Sequence, residues 1–230
     1  MSSPRLVAGH CINHGRPDRL GFDAYTGHAD TGIFVLCDGA NSCPDSGKAA
    51  LWLSQSLASD LIIQDESEDF EASLRRLHVD MLELFPITAA TVLALRAKPD
   101  GLTLASVGDS SLVVLQRAWA GWGNWRVLHK MPRDINAQGH PSQLLGSEVL
   151  DEIHQTRLIG KGQFLTVLMT DGVANTVSEE ELVQTVSAVG RWQTPSSDDL
   201  DYLCQTLADL ALQRGCQDDL SAAIIHAAFD

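Results

Sequence analysis

ITAATVLALRAKPDGLTLASVGDSSLVVL, residues 87–115, is the stretch whose reading decides the fold. It holds three apolar runs at 87–96, 102–107 and 110–115, rich in Val, Leu and Thr. Pro99-Asp100-Gly101 is a strong turn between the first two, and Gly108-Asp109 makes a second. Links this short leave no room for a helical crossover, so the runs read as antiparallel strands. The same meander is expected to continue through WRVLH at 125–129.

Upstream, TGIFVLC (31–37) reads as a buried strand that ends at Asp38-Gly39. Ala50, Leu53, Leu57 and Leu61 then recur at helical spacing, predicting a helix from Ser46 to about Ile63 with Asp45 or Ser46 as its N-cap. A second helix is expected over 68–84, with Phe70, Leu74, Leu77, Met81 and Leu84 on one face and Pro86 as its stop. Downstream, 130–150 is polar and reads as a surface loop with room for one short helix. Strands are expected at 153–159 and 163–170, joined by a hairpin turn at Gly160-Lys161-Gly162, the second ending at Asp171-Gly172. Ser178 and Glu181 form a capping box that opens a helix to about Val189. Leu200, Leu203, Leu207 and Leu210 mark a helix over 198–213, ended by Gly215. LSAAIIHAA (220–228) is the last strand, entered from Asp218-Asp219. These elements predict one α+β domain over residues 1–230, with antiparallel sheets flanked by pairs of helices.

The chain has 230 residues, with 16 Lys and Arg against 30 Asp and Glu, a formal charge of −14. So acidic a protein repels nucleic-acid phosphates and anionic lipid, which argues against either as partner. Its five cysteines are odd in number and include no Cys-x-x-Cys, so reduced thiols are expected rather than a disulfide framework. No signal peptide and no run of about 20 apolar residues is present, and the expectation is a cytoplasmic monomer.

Four carboxylates share one local setting at the end of an apolar strand. They are Asp38 in VLCDGA, Asp109 in SVGDSS, Asp171 in LMTDGV, and Asp218 at the strand start in CQDDLS; Asp23 in GFDAYTG precedes the first by 15 residues. A single Asp-Gly after a strand is an ordinary turn. Several carboxylates converging on one rim of a sheet repel each other unless a divalent cation lies between them. All-oxygen ligands suit Mg²⁺ or Mn²⁺ rather than Zn²⁺.

The order and spelling of these segments resemble the metal-dependent protein phosphatases, the type 2C serine/threonine phosphatase family. The resemblance is carried by VLCDGA, AATVLAL, LASVGDSSLVVL, LLGS with FLTVLMTDGVANTVSEEEL, and GCQDDLSAAII, in that order along the chain. It implies a four-layer α/β/β/α sandwich with a binuclear metal centre at one edge. It also implies hydrolysis of phosphoserine and phosphothreonine in proteins by a metal-activated water. In this sequence Asp38, Asp171 and Asp218 would hold the first Mg²⁺ or Mn²⁺. Asp38 would bridge, the Gly39 carbonyl and Asp23 would serve the second ion, and Asp109 a weaker third. A phosphoprotein substrate and a cognate serine/threonine kinase system are the implied partners.

The chain departs from the family's pattern at its periphery. Phe22 precedes Asp23 where an acidic or amide side chain is usual, and Ser111 follows Gly-Asp-Ser where Arg is usual. Asn175 stands for an acidic residue that often helps the third ion, and Asp219 stands for Asn. The family's phosphate-gripping Arg falls at Asp18, with Arg16 and Arg19 close by; Arg19, nearer Asp23, is the expected phosphate ligand. The flap-like region, about 130–148, is short. His140 within it could protonate a leaving group but reads as a loop residue. The alternative these departures feed is a catalytically weak family member acting as a regulatory or binding module.

Overall fold

A computed structural model describes residues 2–13, 21–40, 45–63, 70–117, 124–189 and 194–229. Among these described residues, ten strands form two five-stranded antiparallel sheets. One sheet runs β1 (Arg5–Asn13), β10 (Leu220–Phe229), β9 (Gly162–Met169), β6 (Ser111–Arg117), β7 (Trp125–Lys130). The other runs β2 (Asp23–His28), β3 (Ile33–Gly39), β4 (Ala90–Lys98), β5 (Gly101–Val107), β8 (His154–Ile159).

The period-two alternation along each central strand builds three apolar layers. Phe34 and Leu36 of β3 point between the sheets, where they join Leu93, Leu95, Leu112, Leu168 and Ile225. Ile33, Val35 and Cys37 point the other way, against Leu53, Leu57 and Leu74. Those leucines belong to helices α1 (Ser46–Ile63) and α2 (Phe70–Leu84). On the far side, Val113, Val167 and Ile224 pack under Leu182, Leu200, Leu203 and Leu207. These lie on α4 (Glu179–Val189) and α5 (Ser197–Gln213), and a single-turn α3 (Asp171–Ala174) precedes them. The four layers are those the sequence led us to expect. The Ser178–Glu181 capping box forms, with Glu181 N donating to Ser178 Oγ and Ser178 N to Glu181 Oε2.

Two links differ from the expected meander. β5 pairs with β4 and β8, whereas β6 pairs with β7 and β9, so Gly108-Asp109-Ser110 carries the chain from one sheet to the other instead of closing a hairpin. Gly108 takes φ of +96°, open to glycine, and a Cβ there would meet the Thr91 side chain at 2.8 Å. Gly160-Lys161-Gly162 likewise joins β8 of one sheet to β9 of the other. The crossings leave the lengths of the apolar runs unchanged, so periodicity cannot tell a hairpin from a change of sheet. Edge strands β1 and β2 had no apolar run to mark them; their residues are mostly only partly buried. The start of the helix expected at 68–84 lies partly outside the described residues, and 130–150 contains no described helix.

Candidate metal centre

The crossings matter because they put strand ends from both sheets at one rim. β3 of one sheet ends with Asp38, β9 of the other is followed by Asp171, Asp218 leads into β10, and Asp109 sits on the crossing before β6. A cleft of about 290 Å³ is lined by Asp38, Asp109, Asp171 and Asp218, together with Thr91 and His140. Thr91 Oγ1 and Ser110 Oγ share a 2.7 Å hydrogen bond beside it. Ala90 and Leu145 exchange two backbone hydrogen bonds of 2.9 Å, fastening the flap-like loop to the start of β4.

Asp23 pairs directly with Asp38 across β2 and β3. It lies behind Asp38, not among the residues lining the cleft, and accepts a 3.1 Å hydrogen bond from Thr170 Oγ1. The carboxyls of Asp23 and Asp38 are close enough to share a hydrogen bond, as are those of Asp38 and Asp171. Burial pushes the Asp38 carboxyl well above its ordinary range, and the charges of Asp23 and Asp171 push it further. Burial also raises Asp23 to about 7, with Asp219 adding to the shift, and raises Asp171 to about 6, helped by Asp109 and Asp218. Asp109 is raised too, mainly by burial.

Clustered carboxylates buried away from water favour their protonated forms. Among the described residues no three of them already form a ready-made ligand shell. Hard oxygen donors crowded in this way fit a pair of divalent cations, which would take the place of the shared protons. Gly39 closes the β3 end so tightly that a Cβ would meet Ser46 O at 2.5 Å, and Gly39 N donates to Phe22 O. Phe22 N in turn donates a 2.7 Å hydrogen bond to Asp219 Oδ2.

Arg16 and Arg19 lie outside the described residues. His140, read from sequence as a loop residue, lines the cleft; its N and that of Gln138 donate to Asn136 Oδ1, which curls the loop. The sequence reading missed Thr170 and Arg133, and it marked Asp219 only as a departure from the family pattern, without its bond to Phe22 N. Arg133 donates from Nε to Asp109 O and from Nη2 to Asn175 Oδ1 at 2.7 Å. For Thr170 the usable signal was its place directly before Asp171. For Arg133 there was none, since its loop has no period.

A sequence model described as Protein phosphatase 2C matches residues 13–211. The chain belongs to the protein phosphatase 2C family. Comparison with curated protein sequences finds no match. Among solved structures, the protein phosphatase 2C chain resembles the S. agalactiae serine/threonine phosphatase at 17% identity and TM-score 0.77, covering 98% of this chain and 100% of that one. The Mycobacterium tuberculosis serine/threonine phosphatase PstP/Ppp is 18% identical with TM-score 0.70, over 98% and 99% of the two chains. The catalytic domain of PstP in complex with two manganese ions is 18% identical with TM-score 0.73, and the match covers 100% of both chains. At these identities the structures speak to the fold, which they share with this chain. No described helix is long and apolar enough to cross a membrane.

Proposed function

We propose that this protein phosphatase 2C chain is a Mg²⁺- or Mn²⁺-dependent protein serine/threonine phosphatase. The observation that carries the reading is the convergence of Asp38, Asp109, Asp171 and Asp218 on one cleft, with Asp38 and Asp171 both pushed above the ordinary carboxylate range. Asp38, Asp171 and Asp218 would hold one ion; Asp38 and the Gly39 carbonyl would hold a second. The ions, when bound, activate a water and neutralise phosphate oxygens.

The remaining work falls to the chain. Asp23 fixes the orientation of Asp38 from behind and is itself fixed by Thr170. Leu144 and Pro141 supply an apolar part of the cleft wall. Arg19 is the candidate to hold the phosphate by a paired hydrogen bond. A phosphoprotein substrate, and operation opposite a serine/threonine kinase in the cytoplasm, belong to the same reading.

The test is hydrolysis of a phosphothreonine peptide and of p-nitrophenyl phosphate, with and without Mn²⁺. Activity that rises with Mn²⁺ and disappears in EDTA is expected. No turnover between pH 7 and 9, with Mn²⁺ demonstrably bound, would leave a binding module as the better reading.

A further inference from the structure

We infer that Arg133 is a tethered cation that takes the position a third divalent ion would need beside Asp109, so that the centre is built for two ions and not three. The inference rests on reading the acidic cleft as a two-cation centre.

The backbone on both sides of Arg133 is stitched to the Asp109 crossing. Met131 N donates to Leu112 O at 3.0 Å and Asp134 N to Gly108 O at 2.9 Å. Gly108 N donates back to Asp134 Oδ2 at 2.7 Å, and the other oxygen of Asp134 pairs with His154 Nε2 at 2.8 Å. A loop held this way delivers its arginine to one place. The guanidinium bonds to Asp109 O on the crossing and to Asn175 Oδ1 just beyond α3. It therefore bridges the two segments that carry Asp109 and Asp171, and it is half-buried, where its charge is poorly screened.

A divalent ion on the Arg133 side of Asp109 would meet three obstacles. It would face a fixed positive charge. It would have to compete with Arg133 for the acceptor oxygens of Asp109 and Asn175. It would find in Asn175 a neutral amide where a carboxylate would bind a hard cation better, since ligand charge sets much of the affinity. The same guanidinium relieves repulsion between Asp109 and Asp171 without any ion, an interaction felt by both carboxylates.

The experiment counts Mn²⁺ ions bound to the full chain by calorimetry and by loss of the free-ion electron paramagnetic resonance signal, in 150 mM salt to suppress surface binding. Wild type should bind two ions. Arg133→Gln should bind three, and Arg133→Lys, which keeps the charge, two. Asn175→Asp alone should stay at two, because the new carboxylate pairs with Arg133. The double variant Arg133→Gln with Asn175→Asp should bind the third ion about tenfold more tightly than Arg133→Gln does. Circular dichroism and thermal melts with Mn²⁺ present establish that each variant is folded. Three ions in wild type, or two in both Arg133→Gln and the double variant, would overturn the inference while leaving the phosphatase reading intact. No Mn²⁺ bound to any variant would overturn both.

Discussion

Thr170 Oγ1 donates a 3.1 Å hydrogen bond to Asp23 Oδ2, tying the end of β9 in one sheet to the start of β2 in the other. The same hydroxyl oxygen accepts from Ser221 N at 3.1 Å, so one buried side chain connects three strands behind the metal centre. Both partners are buried. Thr170→Val keeps the shape and removes the hydroxyl, taking one hydrogen bond from Asp23 Oδ2 and one from Ser221 N. Removing such a partner costs about 1–3 kcal/mol. Urea denaturation should show that loss, with KM for phosphopeptide changed less than turnover because Asp38 loses its support. A variant as stable and active as wild type would mean that the link between the sheets is not needed.

Asp38 stands at the crowded point of the cluster, hydrogen-bonded toward both Asp23 and Asp171. Asp38→Asn removes a desolvated carboxyl, and with it the cost of either protonating it or crowding its charge against Asp23 and Asp171, without changing volume. Activity should fall at least a hundredfold, and the tightest Mn²⁺ site should be lost. The protein in EDTA at pH 8 should nevertheless melt at a higher temperature than wild type, because the repulsion has been relieved. A lower melting temperature with retained Mn²⁺ binding would remove Asp38 from the centre.

The raised carboxylates fix the sign of the pH dependence in the absence of cations. Asp23 at about 7 and Asp171 at about 6 both exceed the ordinary 3.8, so the folded chain holds protons that the unfolded chain has released. Stability from this source is full below about pH 4 and is lost as pH rises through 6 and 7. Buried His226, lowered to about 4 from 6.5, works the other way: its contribution is present above 6.5 and is lost as pH falls toward 4. Between pH 6.5 and 8.5 the carboxylates therefore dominate. Denaturation midpoints in EDTA should fall across that range, and excess Mn²⁺ should abolish or reverse the slope. A midpoint that rises with pH in EDTA would contradict the assignment.

Much of the centre could be read from the sequence because strand ends announce themselves: an apolar run that stops at Asp-Gly marks Asp38 and Asp171 without any knowledge of pairing. That these ends meet was a weaker inference. It depends on Gly108-Asp109-Ser110 changing sheets, and a two-sheet crossing has the same sequence signature as a hairpin. Thr170 and Asp219 act through hydrogen bonds to residues 147 and 197 positions away, separations no local pattern encodes. Arg133 and His140 lie in a loop shaped by Asn136 and Asp134, whose bonds to neighbouring backbone leave no periodic trace.

Gly172 allows an approach that no side chain permits. A Cβ there would meet Asp219 O at 2.3 Å, and the contact is with backbone, which cannot swing aside. The obstacle is steric, since Gly172 is not among the glycines with positive φ. Gly172→Ala should push the start of α3 away from Asp218-Asp219, costing about 1–3 kcal/mol as an overpacked contact does. Because Asp171 and Asp218 belong to the segments forced apart, Mn²⁺ affinity should fall by about tenfold. Thermal melts and calorimetry on the same sample check the two effects together; loss of stability with unchanged Mn²⁺ affinity would show that the ion does not need this spacing.

Asp219 separates two roles that one carboxylate can play. Its Oδ2 accepts the 2.7 Å hydrogen bond from Phe22 N, and its charge helps push up the Asp23 carboxyl behind the centre. Asp219→Asn keeps an acceptor oxygen for Phe22 N and removes the charge; Asp219→Ala removes both. If the hydrogen bond is what matters, Asn should match wild type in turnover, and the Asn variant in EDTA should be more stable at pH 8 because one like charge is gone. Ala should lose about 1–3 kcal/mol of stability from the unpaired backbone donor. It should also weaken Mn²⁺ binding, since Phe22 O holds Gly39 N and so positions the Gly39 carbonyl. If instead Asn and Ala lose Mn²⁺ affinity equally, the Asp219 charge itself serves the ions, and its bond to Phe22 is incidental.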